Sequence, residues 1–276
     1  MKLLLINPNT SAHITARMVA AARDALGGAA EVTGATATFG PAVIGTRSEA
    51  AIAAHAALEI AAREAPGHDA VVLGVSLDCG LAALRELLDV PVAAMTESGL
   101  ALAGMLGTRL GLLTLGARML PLYRELVDAH GLSSRVVGWC ALDQPAAFAP
   151  GDAPDPRVAD AVADGVARLV AEDGVEAVLL SGAVLAGYAE ALRDRVDVPL
   201  VDCAAAAALQ AAAPVRPGAR PPRAGSLAPP RGRASSGLSD ALAARLATPG
   251  PASTAAPASA SAPASASDAR PSGAAR

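Results

Sequence analysis

Three short polar stretches contain the residues of this chain that are best suited to chemistry. Asn7-Pro8-Asn9-Thr10-Ser11 combines side-chain amides and hydroxyls with the free backbone N–H groups of a helix that begins there. Such a set can bind a carboxylate or a polar imide, and Thr10 or Ser11 can equally serve as an ordinary helix N-cap. The other stretches, Ser76-Leu77-Asp78-Cys79-Gly80 and Ser181-Gly182-Ala183, each follow an apolar run.

The three cysteines are widely spaced, which predicts neither a disulfide framework nor a CxxC-type metal site. Cys79 lies near a predicted helix start, where a thiol pKa is lowered, although Asp78 opposes this effect. A lone cysteine is more often a small buried hydrophobe. Cys203 follows the last clear strand and can lie at the same sheet edge, whereas Cys140, beside Trp139, is expected to pack in the core.

The sequence contains no motif for a metal or a nucleotide cofactor. The four histidines, at positions 13, 55, 68 and 130, lack metal-ligand spacing, and there is no glycine-rich phosphate loop. We therefore expect no cofactor and no metal.

The charge of the chain is divided between two regions. Residues 214–276 contain eight arginines and two aspartates, a net +6, which leaves −10 on the preceding residues within a total of −4. The acidic body favours neither nucleic acid nor an anionic membrane as a partner. The apolar start, Met1–Ile6, is too short for a signal peptide, and no continuous apolar stretch is long enough to span a bilayer. We expect a cytoplasmic protein that binds a small molecule.

Apolar strand patterns alternate with helical patterns along the first 213 residues. This alternation predicts a parallel sheet that is covered by helices on both faces. The predicted strands are 2–6, 31–38, 69–75, 91–95, 109–115, 134–142 and 175–180, and predicted helices include 12–26, 48–63 and 81–88. Ligands of such sheets bind beyond the carboxyl ends of the strands. This rule selects the loops 7–11, 39–47, 75–80, 114–118 and 181–186.

An internal repeat indicates that the chain is built from two similar halves. Residues 69–76 align with 176–183 without a gap, and Asp-Val-Pro follows each copy, at 89–91 and at 197–199. We interpret this as an α/β fold of two pseudo-symmetric, doubly wound parallel-sheet halves. The loops at Val75 and Gly182 would then face each other across an inter-domain cleft.

The expected boundaries follow from the repeat and from composition. The first half is 1–97, completed by 200–213; the second is 98–199; 214–247 is an extended segment packing on the body; and 248–276, rich in Ala, Pro and Ser, is a disordered tail.

The run Ile6-Asn7-Pro8-Asn9-Thr10-Ser11 resembles the N-terminal signature of the aspartate/glutamate/hydantoin racemase superfamily, in particular its hydantoin and allantoin racemase branch. The likeness covers about residues 1–213, with further agreement at 78–81, 85–87, 91–97, 183–187 and 198–202. It implies an active site between two α/β halves, no cofactor, and a small cyclic ureide or amino-acid-type carboxylate as substrate. It also implies that two cysteines exchange an α-proton on opposite faces of the substrate, and it leaves a homo-oligomer open.

The sequence departs from this family at both cysteine positions. The first corresponds to Val75, and the second to Gly182 or, with a one-residue shift, Ser181. Neither a valine nor a glycine side chain can carry a proton.

The resemblance implies an isomerase, a cofactor-independent racemase of hydantoin or amino-acid type that exchanges an α-proton. Because both cysteine positions are substituted, three interpretations of its chemistry remain open. In the first, Cys79 and Cys203 act as shifted thiols. In the second, different groups act on a related substrate, since Gly74-Val75-Ser76-Leu77 is similar to the loop with which arylmalonate decarboxylases stabilise an enediolate. In the third, the chain binds a small carboxylate or ureide without catalysis. The candidate catalytic residues are Cys79, Cys203, Ser76 and Ser181. The candidate binding residues are Asn7, Asn9, Thr10, Ser11, Ser76, Asp78, Thr114, Tyr123, Gly182 and Ala183.

Overall fold

The computed structural model describes residues 1–143, 154–230 and 232–248, and it contains two four-stranded parallel sheets with the same strand order. The strands are β1 (Lys2–Asn7), β2 (Glu31–Thr36), β3 (Ala70–Leu73), β4 (Val92–Ala94), β5 (Leu110–Leu115), β6 (Val136–Leu142), β7 (Ala177–Leu180) and β8 (Leu200–Asp202). The helices are α1 (Ala12–Leu26), α2 (Arg47–Glu64), α3 (Leu81–Leu87), α4 (Met95–Leu106), α5 (Leu120–Ala129), α6 (Pro156–Asp173), α7 (Tyr188–Ala191), α8 (Cys203–Val215) and α9 (Asp240–Ala247). Short 3-10 turns span Ala117–Met119 and Ala183–Leu185.

The two sheets confirm the predicted α/β fold of two similar halves. The first has the order β2-β1-β3-β4 and the second the order β6-β5-β7-β8, so each strand of one sheet has a counterpart four strands later. Strands β3 and β7, which carry the sequence repeat, pair in parallel with the central strands β1 and β5. Equivalent carboxyl ends of the strands therefore lie at equivalent places in both halves.

The central strand β1 shows why these apolar runs form buried parallel strands. Leu3 and Leu5 point to a core that both sheets share, whereas Leu4 and Ile6 point to a separate core under α2. All four side chains are fully buried, as expected for alternating residues of a strand that is covered on both faces.

Alanine-rich helix α8 fills the space between the halves. Ala204, Ala206 and Ala207 are fully buried in the shared core, where α8 packs against α1 and α4. Small side chains allow these helices to approach closely.

The stretch 200–213, which we expected to complete the first half, divides between the two. Strand β8 pairs with β7 in the second sheet, whereas α8 packs against α1, β3 and β4 of the first half. Within 214–247, helix α9 packs on α2 and buries Leu242. Apart from Thr248, the expected tail 248–276 lies outside the described residues. Within the described ranges, no helix is both long and apolar enough to cross a membrane.

Six of the seven predicted strands are one or two residues shorter at one or both ends than predicted, and two of them end early beside the candidate loops. The second ends at Thr36 rather than at 38, and the third ends at Leu73 rather than at Val75. The Gly74 N–H still donates to the Ile6 carbonyl, but the strand ends there, and Val75 and Ser76 lie in the loop. This shortening places Val75 in a loop rather than in the sheet.

Candidate functional site

A cavity of about 330 Å³ opens at the carboxyl ends of the strands, between the two halves. Its wall is built from the loops after β1, β2, β3 and β7 and from the end of β5. All five loops selected from the sequence therefore contribute residues to the wall. The polar residues that line it are Asn9, Ser11, His13, Ser76, Thr114, Tyr123 and Ser181. The cavity is therefore of a size that holds a small organic ligand.

The loop after β1 is held by its own side chains. Asn7 is fully buried, and its Nδ2 donates to Asn9 Oδ1 and to Thr15 Oγ1, each at 2.9 Å. Asn9 Oδ1 also accepts the Ser11 N–H at 2.9 Å. Asn7 thus supports the loop from behind and is not among the residues that line the cavity.

Ser11 lies at the N-cap position of α1, but its side chain does not cap the helix. Its Oγ donates instead to the Ala42 carbonyl at 2.9 Å, and the Thr10 N–H donates to the Pro41 carbonyl at 3.1 Å. These bonds tie the first loop to the loop after β2. Thr10 itself is exposed and does not line the cavity, whereas Asn9 and Ser11 do.

A buried hydroxyl pair joins the two halves at the floor of the cavity. Ser76 Oγ and Tyr123 Oη lie 2.6 Å apart, and Tyr123 Oη donates to the Ser181 carbonyl at 3.3 Å. Thr96 Oγ1 donates to the Ser76 carbonyl at 2.5 Å and fixes that residue from the other side. Burial raises the pKa of Tyr123 above its usual value, so this phenol stays protonated at neutral pH.

Asp78 anchors the loop that carries Val75 and Ser76. Its carboxylate is buried and accepts the N–H groups of Thr96 at 2.9 Å and Glu97 at 2.8 Å, which caps the first turn of α4. Its φ of 49° is the left-handed backbone that only a few residue types adopt readily. Asp78 does not line the cavity, so it positions the loop rather than a ligand.

Neither Cys79 nor Cys203 lines the cavity, which corrects the expectation that the two thiols share this cleft. Cys79 packs at the edge of the core under α2, and burial raises its pKa to about 12. Cys203 is fully buried in the shared core. Burial and the negative charge of Asp202 both raise the pKa of its thiol, and a hydrogen bond from the Gly182 N–H partly offsets this rise. The Gly182 N–H contacts the Cys203 thiol, so this thiol lies next to a residue of the cavity wall. Cys140 is buried in the core of the second half, as predicted.

The family of this chain follows from its sequence as a whole. The pattern that defines the Asp/Glu/Hydantoin racemase family matches residues 3–211. The chain belongs to the Asp/Glu/hydantoin racemase family. A hydantoin racemase of Pseudomonas sp. (strain NS671) is 32% identical over 203 residues, which cover 73% of this chain and 81% of that one.

Solved structures of racemases share the fold. An allantoin racemase from Klebsiella pneumoniae is 30% identical, with a TM-score of 0.82 over 88% of this chain and 98% of that one. An arylmalonate decarboxylase structure matches with a TM-score of 0.57 at 19% identity over 82% of this chain and 98% of that one, a likeness of fold alone.

Val75 and Gly182, which the resemblance aligns with the two family cysteines, both lie on the cavity wall of this racemase-family chain. Val75 belongs to the first half and Gly182 to the second, and both line the cavity. A Cβ atom built on Gly182 would meet only Leu185, at 3.7 Å, which is ordinary van der Waals contact. A Cβ atom at Gly182 therefore meets no steric clash, and no cysteine is among the described residues of the cavity wall.

Sequence reasoning missed several residues of the wall. Ile14 and Met119 line the cavity, and neither carries a polar signal that distinguishes it from a core residue. Arg17, which does not line the cavity, was missed as a positioning residue; its Nη1 donates to the Val184 carbonyl at 2.9 Å, which ties α1 to the loop after β7. Among the residues that the structure describes, no three His, Cys, Asp or Glu side chains group as a metal site.

The Asp78–His130 contact predicts a pH-dependent stability. His130 Nε2 lies 3.8 Å from Asp78 Oδ2, and the carboxylate raises the pKa of His130 above 6.5. A raised histidine pKa means that the folded state binds more protons, so the added stability is complete below pH 6.5 and is lost as pH rises through the raised value. We expect the free energy of unfolding to fall with pH in that window. His130→Gln should flatten this slope in urea titrations at several pH values, and His13→Gln, at an exposed histidine, should keep it; an unchanged slope in His130→Gln contradicts the assignment.

Proposed function

We propose that this protein binds a small, uncharged cyclic ureide in the cavity between its two halves. The observation that carries the proposal is the chemistry of the wall. The described residues that line the cavity include hydroxyls and a side-chain amide but no Lys, Arg, Asp or Glu, and His13 is exposed. A neutral ureide can pair its N–H and C=O groups with such a wall.

The same wall argues against an amino-acid-type dicarboxylate. A carboxylate that leaves water needs a cation or several hydrogen-bond donors to offset its desolvation. Of the donors near the site, Ser11 Oγ is used by the Ala42 carbonyl and Tyr123 Oη by the Ser181 carbonyl. A second negative charge would have no counter-charge in the lining.

The apolar part of the wall suits a substituent on the ring. Ile14, Ile44, Leu115 and Met119 line the cavity beside the polar residues. Pockets with an apolar wall and a few placed polar groups orient a ligand by its polar edge. We therefore propose a five- or six-membered ureide ring that carries an apolar substituent.

The geometry supports binding over the two-thiol reaction. Inversion at an α-carbon requires a base on one face of the substrate and an acid on the other. The positions from which the family would supply these groups are Val75 and Gly182, and both line the cavity without a proton to exchange. We propose that the chain keeps ligand recognition and has lost the two-thiol exchange.

The second candidate is cofactor-independent α-proton exchange by other groups. Two observations favour it: the relatives are named racemases, and the Gly182 N–H contacts the Cys203 thiol. In that case the Ser76 hydroxyl would exchange its bond to Tyr123 for a hydrogen bond to the enolate, as in the enediolate interpretation.

One experiment separates the two candidates. The wild-type protein is mixed with a 5-substituted hydantoin or with allantoin in D₂O, and both the melting temperature and the loss of the α-proton NMR signal are followed, with a protein-free blank. We expect thermal stabilisation by the ureide, equivalent to about 2.7 kcal/mol at 100 times Kd, and exchange no faster than the blank. Stabilisation by aspartate or glutamate instead would refute the ligand class. Exchange above the blank that Cys203→Ser abolishes would establish the second candidate.

A further inference from the structure

Ser181 is fully buried and is among the residues that line the cavity. Its backbone is engaged on both sides, since its N–H donates to the Leu113 carbonyl at 2.8 Å and its carbonyl accepts from Tyr123 Oη. Its Oγ, in contrast, has no hydrogen-bond partner among the described residues. The residue is thus rigidly held while its polar side chain is unpaired.

The neighbouring hydroxyls differ from Ser181 in this respect. Ser76 Oγ pairs with Tyr123 Oη at 2.6 Å, Thr114 bonds to the same phenol, and Ser11 Oγ donates to the Ala42 carbonyl. The cavity therefore combines a satisfied hydroxyl network with one unsatisfied hydroxyl on its second-half side.

An unpaired buried hydroxyl is costly, and native proteins normally pair such groups. Resting on the proposed function, we infer that Ser181 Oγ hydrogen-bonds to the polar edge of the ureide ring and determines the preference for a ureide over an apolar ring. A ligand that supplies this bond satisfies the hydroxyl, whereas a ring without N–H or C=O groups leaves it unpaired.

The variant Ser181→Ala tests this role because binding and folding should change in opposite directions. Removing an unpaired buried hydroxyl should leave the melting temperature unchanged or raise it. Removing the ligand's partner should weaken the binding of a 5-substituted hydantoin about tenfold or more in isothermal titration calorimetry. The affinity for the carbocycle with the same substituent should not fall. The preference for the hydantoin over the carbocycle, measured as the ratio of their dissociation constants, should therefore decrease.

Ser98→Ala is the matched control. Ser98, on α4, is also fully buried with an unpaired Oγ among the described residues, but it does not line the cavity. Its replacement should change the melting temperature as Ser181→Ala does and leave the hydantoin affinity unchanged.

Three results would overturn the inference, and each is distinct. An unchanged hydantoin affinity in Ser181→Ala, with normal binding to the wild type, refutes the role of Ser181 and leaves the proposed function intact. A parallel loss of stability and affinity shows that the hydroxyl is structural. Failure of the wild-type protein to bind any ureide refutes the proposed function itself and this inference with it.

Discussion

We expect the double variant Val75→Cys, Gly182→Cys to exchange the α-proton of a bound hydantoin at least about 100-fold faster than the wild-type protein, since positioned acid–base groups typically contribute that much or more. Both positions line the cavity and come from different halves. A cysteine is smaller than the valine it replaces, and at Gly182 a Cβ atom meets only Leu185 at van der Waals distance. The Gly182 φ of 159° is a backbone conformation that residues with side chains rarely adopt, so a cysteine there has space but introduces backbone strain.

The measurement is loss of the α-proton signal in D₂O together with loss of optical activity from one enantiomer. Each single variant should lose optical activity much more slowly than the double variant, because inversion needs an acid–base group on each face of the substrate. The variant Val75→Ser, Gly182→Ser controls for polarity and volume and should behave as the wild type. A folded double variant that binds hydantoin and exchanges no faster than the serine pair would contradict the assignment of these two positions.

We expect Asp78→Ala to lower the free energy of unfolding by about 3 kcal/mol, because it removes a buried helix cap and leaves the buried N–H groups of Thr96 and Glu97 without an acceptor. Burial raises the pKa of the Asp78 carboxyl, with His130 and the two amides countering the rise. The carboxylate is therefore costly to bury, and its net contribution to the free energy of unfolding depends on the hydrogen bonds from these partners. Urea unfolding at neutral pH measures the loss.

Asp78→Asn is the matched variant, because asparagine keeps an acceptor and tolerates the left-handed backbone at this position. Its loss should be clearly smaller than that of Asp78→Ala. The alanine variant should also weaken hydantoin binding, since Asp78 holds the loop of Val75 and Ser76. A destabilisation below about 1 kcal/mol by Asp78→Ala would show that the cap is dispensable.

Much of the architecture was predictable because the signals are local. Helix α1 begins and ends where the periodicity predicted it, at Ala12 and Leu26, and the repeat at 69–76 and 176–183 identified β3 and β7 as counterparts. Parallel strands read as continuous apolar runs, and their carboxyl ends must meet at one edge of a sheet. These two rules were sufficient to select the loops that build the cavity.

The site residues were predicted less well, because residue type does not reveal which polar groups the chain uses itself. Asn7 and Asn9 look equivalent in the motif, yet Asn7 is buried behind the loop by its bond to Thr15, and Asn9 lines the cavity. Asp78 looked like a ligand contact and instead caps α4. Such distinctions depend on side chains that are distant in sequence.

The sequence by itself determined the family, the α/β class and the two similar halves, since each is a property of residue identity and local pattern. Only the tertiary structure decided that Cys79 and Cys203 lie outside the cavity, that Tyr123 joins Ser76 to the second half, and that Ser181 keeps an unpaired hydroxyl. The physical reason is that burial and pairing depend on which elements pack together, and residues 47 or 58 positions apart meet only in the folded chain.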